Sequence, residues 1–366
     1  MGAITTAIGL MSGTSLDGVD AAIVRTDGLQ TVEPGPFISR PYTDSLREAL
    51  RGVLGGGAPK DALDEVEDKL TRVHAEVVKQ LLEDSGVSDG DIEVIGFHGQ
   101  TTEHRPAEGI TRQIGDGALL AELTGRPVVN DFRSADVAAD GEGAPFAPLY
   151  HAARAGTQKT PFAVLNIGGV ANVTWLGAPR NGAREIIAFD TGPGNALIDD
   201  WVRARLGLAM DDGGRLASAG RADESVVRRY LDDPYFARRP PKSLDRDAFP
   251  LEFAAGLSAE DGAATLTAVT AESVAAASRY FPAPAERWLV TGGGRHNGAI
   301  MEALRRRLGV EVAPVEEIGW RGDALEAEAF AYLAVRSLKG LPLTLPSTTG
   351  CREPTTGGRL WQPRGV

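Results

Sequence analysis

The sequence predicts an α/β protein built from two related lobes. One observation is a polar, glycine-bearing turn between two apolar strands near the N-terminus. Ala7-Ile8 runs into Gly9-Leu10-Met11-Ser12-Gly13-Thr14-Ser15-Leu16-Asp17-Gly18-Val19-Asp20, and Ala21-Ala22-Ile23-Val24 runs out. A second is that the strand–glycine–strand shape returns at Ala163–Trp175, around Gly168-Gly169, and that a third apolar strand meets glycines at Ile186–Asn195, around Gly192-Pro193-Gly194, before entering a helix. The third is length: 366 residues exceed the size at which one core keeps growing.

Between the first and second turns, Leu46, Leu50, Leu54, then Leu63, Val66, Leu70, Val73, Val77, Leu81 and Leu82 recur at helical spacing, and Gly55-Gly56-Gly57 splits the run into two helices. Ile92–Phe97 reads as a strand that delivers His98-Gly99-Gln100 at its C-terminal end, where α/β proteins place ligands. Residues 113–125 read as a strand end, a turn and a short helix stopped by Gly125. Pro127-Val128-Val129 is a further strand, ending in Asn130-Asp131-Phe132-Arg133. Ala138–Pro145 is acidic and glycine-bearing, and reads as a flexible loop or hinge between lobes. A helix follows Asn195. Residues 210–250 form a polar excursion whose Arg239–Arg246 stretch reads as a lid or a solvated loop. Ala263–Tyr280 is helical, Arg287–Thr291 is a strand running into Gly292-Gly293-Gly294, and helices cover 300–308 and 322–338.

Composition narrows the function classes. With 50 acidic against 38 basic side chains, the net charge is −12, which disfavours nonspecific nucleic-acid binding. A single cysteine, Cys351, excludes an intramolecular disulfide and a multi-cysteine metal site. No charged segment followed by an apolar run opens the chain, and no apolar run reaches about 18 residues, so the reading is cytoplasmic, with no membrane partner.

Chemistry concentrates in the turns. Ser12, Gly13 and Thr14 leave backbone N–H groups unobstructed, and Thr14 and Ser15 add hydroxyl donors, a set suited to phosphate oxygens. Asp17 and Asp20 would repel a phosphate unless a hard cation such as Mg²⁺ bridged them. The same string also describes an ordinary Gly/Asp hairpin turn. Arg133 carries a fork that fits a carboxylate or phosphate, or pairs at the surface with Asp131 or Asp136. Asp190 sits between an apolar strand and a glycine turn, where burial suits a carboxylate to general-base work; the alternative is a turn cap. The Gly292–Gly294 run lets a flat base or ribose lie against bare backbone. The Walker pattern is absent, and no G-x-G-x-x-G follows the first strand.

In this order the motifs resemble the sugar kinase, heat-shock ATPase and actin superfamily. The strings at 9–20, His98-Gly99-Gln100-Thr101, Asp131-Phe132-Arg133, Asn166-Ile167-Gly168-Gly169, Phe189–Asn195 and Thr291–Gly294 are similar to those of the anhydro-N-acetylmuramic acid kinase family. The resemblance implies two actin-like (ribonuclease H-like) lobes with mixed central sheets, flanking helices and a cleft between them. We place the N-terminal lobe at 1–132 and the C-terminal lobe at 133–366, with a tail able to return to the first lobe.

It also implies a bacterial cell-wall recycling enzyme that uses ATP, Mg²⁺ and water to open 1,6-anhydro-N-acetylmuramic acid and phosphorylate its O6. Asp190 is then the base. Gly13, Thr14, Ser15, Leu16, Asp17, Gly18, Val19, Asp20, Asn166, Gly168, Gly169, Gly192, Gly194, Asn195, Gly292, Gly293 and Gly294 bind ATP. His98, Gln100, Arg133 and Glu326 face the sugar, and Asp17 and Asp20 serve the metal, directly or through water. A homodimer is the family expectation. The chain departs from the family pattern at Glu142 and Asp245. A kinase of another anhydro-sugar, or an ATP-binding regulator of the same superfamily, is the alternative reading.

Overall fold

The central strands are apolar enough to be buried on both faces, and they form where the alternation of Val, Ile and Ala predicts. In the computed structural model, which describes residues 2–13, 15–156, 158–180, 183–246 and 248–364, they build two principal sheets. In chain order the strands are β1 (Thr5–Met11), β2 (Gly18–Thr26), β3 (Val32–Pro41), β4 (Val94–Phe97), β5 (Gln100–Arg105), β6 (Ile110–Ile114), β7 (Val128–Asn130), β8 (Phe162–Ile167), β9 (Val170–Leu176), β10 (Ile186–Pro193), β11 (Arg287–Thr291), β12 (Glu311–Pro314) and β13 (Arg359–Trp361). The first sheet runs β3-β2-β1-β4-β7-β13, and the second β10-β9-β8-β11-β12.

The two share one plan. In each, a meander of three antiparallel strands is extended by two parallel ones: β1/β4/β7 in the first, β8/β11/β12 in the second. The expected pair of like α/β lobes is therefore present, with β13 added antiparallel to β7 at the edge of the first sheet.

Contacts divide the chain into one unit of residues 1–156 plus 324–366 and a second of 157–323. This corrects the expected boundary at 132/133. The reason is the helix Leu325–Leu338, which packs on β1, β2 and β4, together with the tail that follows it. A Cβ on Gly9 would lie 1.8 Å from the Ala327 carbonyl oxygen, and one on Gly96 2.2 Å from that of Phe330. The helix backbone thus rests on a glycine floor that no other residue provides. The first unit's core includes Ile8, Leu10, Val19, Leu70, Ile95 and Phe97; the second's is centred on Trp175, Phe189, Tyr230 and Trp288.

The acidic loop at 138–145 is not the expected flexible hinge. Buried Asp136 accepts the Gly143 N–H (2.8 Å) and the hydroxyls of Thr344 and Thr349, and the Glu142 N–H bonds the Thr349 carbonyl at 2.7 Å. The two long helices at Asp44–Gly52 and Lys60–Ser85 form as patterned, the second stopped by Gly86 at φ 65°. Among the described residues, no helix is long and apolar enough to cross a membrane.

Replacing Gly9 by alanine is expected to cost about 3 kcal/mol or more, because the added methyl meets backbone and cannot be repacked. Urea unfolding of Gly9→Ala measures it, and stability unchanged within experimental error would contradict the close approach.

Candidate active site

In the first unit, the β1–β2 turn is closed by the Leu16 N–H on the Gly13 carbonyl (3.1 Å). Leu16 is buried and holds the left-handed conformation at φ 58°, a strained choice for a branched side chain. Arg47 Nε donates to its carbonyl at 3.1 Å, and the Tyr42 N–H bonds the Asp17 carbonyl at 3.0 Å. Gly18 lies so close to β3 that a Cβ would meet the Arg40 carbonyl oxygen at 2.2 Å. Val19 is buried, whereas Ser15 and Asp17 are exposed at the tip. Thr14 lies outside the described residues.

Behind the turn, buried Ser12 links two other segments. Tyr42 OH donates to Ser12 Oγ at 2.7 Å, and Ser12 Oγ donates to Gln100 Oε1 at 2.6 Å. Burial pushes the Tyr42 hydroxyl's pKa up, the Asp20 carboxylate adds to this, and the Ser12 bond works against it, so Tyr42 stays a donor.

At the end of β4, His98 Nδ1 faces the Gly99 carbonyl at 2.7 Å, and Arg133 approaches Nε2 through Nε at 3.2 Å and Nη2 at 2.9 Å. A guanidinium only donates, so Nε2 must accept and the proton must sit on Nδ1. His98 is held neutral, its pKa driven well below the usual imidazole value by burial and then by the Arg133 charge. Arg133 Nη1 also donates to the Gly143 carbonyl at 2.5 Å, and its guanidinium stands 5.4 Å from the Phe146 ring centre. These contacts, rather than an ion pair with Asp131 or Asp136, orient the fork. Glu326, in the first turn of the helix on β1, belongs to the same electrostatic group. Solvent reaches its side chain, yet the surrounding protein removes enough water to raise its pKa, with Arg133 pulling it down and Asp20 pushing it up. His98, Arg133, Glu326 and Asp20 are thus brought together by β4, the segment after β7, the returning helix and β2.

In the second unit the glycine turns converge at the ends of β8 and β11. The Asn195 and Gly194 N–H groups bond the carbonyls of Gly168 (2.7 Å) and Gly169 (2.9 Å), and Asn195 Nδ2 bonds the Ile167 carbonyl at 3.1 Å. Gly292, at φ 75°, leaves room for Asn166 Oδ1, which a Cβ would meet at 2.3 Å; one on Gly294 would meet Ile167 Cγ2 at 2.4 Å. Gly293 faces the Asn195 amide. Gly192 instead lies within β10, against Ser273 and Phe236.

Asp190 is buried on β10 at a bulge that breaks register with β9 between Asp190 and Gly192. Its Oδ2 accepts the Leu244 N–H at 2.8 Å, its own N–H bonds the Lys242 carbonyl at 3.0 Å, and Tyr235 OH donates to its carbonyl at 2.5 Å. The Arg239–Arg246 stretch is therefore a strap fixed to Asp190, not a solvated loop.

A family model described as anhydro-N-acetylmuramic acid kinase matches residues 5–363. The chain belongs to the anhydro-N-acetylmuramic acid kinase family. It is 57% identical over 358 residues to the kinase of that name from Rhodospirillum rubrum, covering 97% of this chain and 94% of the relative. The protein of the same name from Paramagnetospirillum magneticum is 55% identical over 360 residues, covering 98% and 99%. Among solved structures, the activator of the 2-hydroxyisocaproyl-CoA dehydratase from Clostridium difficile with bound ADPNP aligns at 13% identity and a TM-score of 0.44, over 92% of this chain and 96% of that one.

This kinase contains groups that sequence reasoning passed over. Tyr42 was hidden because its partner Ser12 lies 30 positions away. Tyr235 and Lys242 were hidden in an excursion without hydrophobic period; a buried lysine there has no sequence signal beyond the flanking prolines.

His74 and His151, buried like His98, are lowered to about 4 and about 3 by desolvation. A folded-state pKa below the unfolded value of about 6.5 means that the unfolded chain takes up the proton first, so stability is lost as pH falls through that window. Each buried imidazole is expected to contribute a slope of about 1.4 kcal/mol per pH unit between 6.5 and its folded pKa. Urea titrations from pH 7 to 5 read this, and a flat profile there would contradict neutral burial.

Proposed function

We propose that this kinase uses ATP, Mg²⁺ and water to open the 1,6-anhydro ring of 1,6-anhydro-N-acetylmuramic acid and to phosphorylate O6. The products are N-acetylmuramic acid 6-phosphate and ADP, in peptidoglycan recycling, by a cytoplasmic homodimer. The observation that carries the mechanism is the buried Asp190 carboxylate with one oxygen fixed by a backbone N–H.

Water is a poor nucleophile at neutral pH, so a positioned base must take its proton as it attacks. In the proposed step the water oxygen bonds C1, the C1–O6 bond breaks, and the water proton passes to Asp190. O6 then takes the γ-phosphoryl group as the bond to ADP breaks, and Asp190 releases its proton to solvent. Handing the alkoxide to phosphorus removes the need for a separate acid, and transfer itself needs alignment and charge neutralisation.

The nucleotide phosphates are assigned to the 13–20 turn and to the turns at Gly168-Gly169 and Gly194-Asn195, and the adenosine to Gly292–Gly294. For Mg²⁺, Asp17 and Asp20 offer hard oxygen donors, and the Asp20 charge acts on Tyr42 and Glu326. Among the described residues no group of three or more His, Cys, Asp or Glu could hold a metal. That suits a cation completed by water and phosphate, as Mg²⁺ prefers. Bound there, it would neutralise phosphate charge. Arg133, its plane set by His98 and Gly143, is assigned to the lactyl carboxylate, and Gln100 and Glu326 to the sugar.

Asp190→Asn is expected to lower kcat at least about a hundredfold with nucleotide affinity retained, the loss typical of a missing base. Sugar-dependent ADP release measures it; activity within threefold of wild type would contradict the assignment. Arg133→Ala is expected to raise the sugar KM about tenfold or more, the value of a charged hydrogen bond. An unchanged KM would remove Arg133 from the carboxylate.

A further inference from the structure

Among the described residues, the most buried cation that the proposed mechanism leaves unused is Lys242. Lys242 is 3% exposed, in the strap that follows cis Pro241. Its Nζ donates to the Tyr235 carbonyl at 2.9 Å and lies 4.2 Å from the Tyr235 ring centre and 5.6 Å from that of Tyr280. An ammonium over aromatic faces, with a carbonyl as acceptor, is a favourable cage for a charge taken out of water.

That cage is built from the groups that hold Asp190. Tyr235, whose ring and carbonyl receive the ammonium, gives its hydroxyl to the Asp190 carbonyl. The Lys242 carbonyl takes the Asp190 N–H, and two residues on, the Leu244 N–H takes Asp190 Oδ2. At the far end of the strap, Arg246 pairs with Asp200 at 3.0 Å and lies against Gly169 of the glycine turn. The strap therefore supplies hydrogen-bond partners to β10 where the bulge interrupts its ladder with β9, and the lysine ties it down.

We propose that Lys242 is a positioning residue for the reaction: its caged ammonium holds the 240–246 strap against β10 so that the Leu244 N–H fixes the Asp190 carboxylate, and its charge favours the ionised form of that carboxylate. This rests on the reading of Asp190 as the base.

The charged groups facing the ammonium are Arg238, after the helix Pro234–Ala237, Arg279, after the helix Ala259–Ala277, and Asp190 on β10. Burial chiefly, and then the two arginines, lower the Lys242 pKa to about 8, with Asp190 opposing. For a lysine this sign means that the folded state sheds the proton first. Burying the charge then costs stability below pH 8, and the cost is relieved as pH rises towards the unfolded value.

The experiment compares wild type, Lys242→Met, Lys242→Arg and Asp190→Asn in the sugar- and ATP-dependent reaction across pH, with thermal melts. Lys242→Met is expected to keep or raise the Tm, to lower kcat tenfold or more with both KM values within threefold, and to move the acid limb of kcat to higher pH. Lys242→Arg is expected to restore the limb to its wild-type position. If the methionine variant loses a cooperative melt, Lys242→Gln replaces it with the same readouts. Wild-type kcat and acid limb in a folded Lys242→Met or Lys242→Gln variant would overturn the proposal. So would an upward shift of the limb that the arginine does not reverse. Asp190→Asn separates the two readings: if it is inactive while the lysine variants behave as wild type, the base stands and the positioning role fails; if it is active, the base itself fails.

Discussion

The close approach of the helix Leu325–Leu338 to β1 and β4 is the constraint on which the first unit depends. Gly9 and Gly96 present no side chain, so the helix backbone rests directly against the two central parallel strands. That contact draws residues 324–366 away from the segment preceding them and into the N-terminal unit. It also decides where Glu326 stands. Seated on β1, the first turn of the helix brings a carboxylate into the field of Arg133 and Asp20. A side chain at either glycine would lift the helix and carry that carboxylate with it.

The chemistry of the two units is arranged in contrasting ways. Around Arg133, two of the groups that orient the cation are neutral: an imidazole that accepts through Nε2 and a backbone carbonyl. A neutral acceptor fixes the plane of the fork without cancelling its charge, and that charge acts on the Glu326 carboxylate. Around Asp190, the Leu244 N–H and the charge of the Lys242 ammonium act on the carboxylate, and both favour its ionised form. Burial alone would push the opposite way.

Much of this was legible in the chain. The strand–glycine turns at 9–20 and 163–175 and the strand ending in His98 appear where apolar runs meet glycine, and the strand before Arg133 where Val128-Val129 meets Asn130-Asp131, because period-two burial and turn-forming residues leave local traces. What failed to show had nonlocal causes. β3, not among the expected strands, contains Pro34, Gly35 and Pro36 and pairs as an edge strand, where missing donors are tolerated. The loop at 138–145 looked loose because its anchors, Thr344 and Thr349, lie about 200 positions on. The lobe boundary was misplaced for the same reason: residues 133–156 group with the first unit, held in part by contacts to the distant C-terminal segment, whose own return to that unit was expected. The strap at 239–246 gave the least signal: its order comes from Tyr235, Tyr280 and the β10 bulge, none of which marks the segment itself.

The central claim is that water, deprotonated by Asp190, attacks C1 while O6 leaves towards phosphorus. Running the wild-type reaction in ¹⁸O-labelled water and locating the isotope by mass spectrometry tests it most directly. The account predicts one label on the C1 hydroxyl of N-acetylmuramic acid 6-phosphate and none in the phosphoryl group. Product without label at C1, or label on phosphorus, would contradict it.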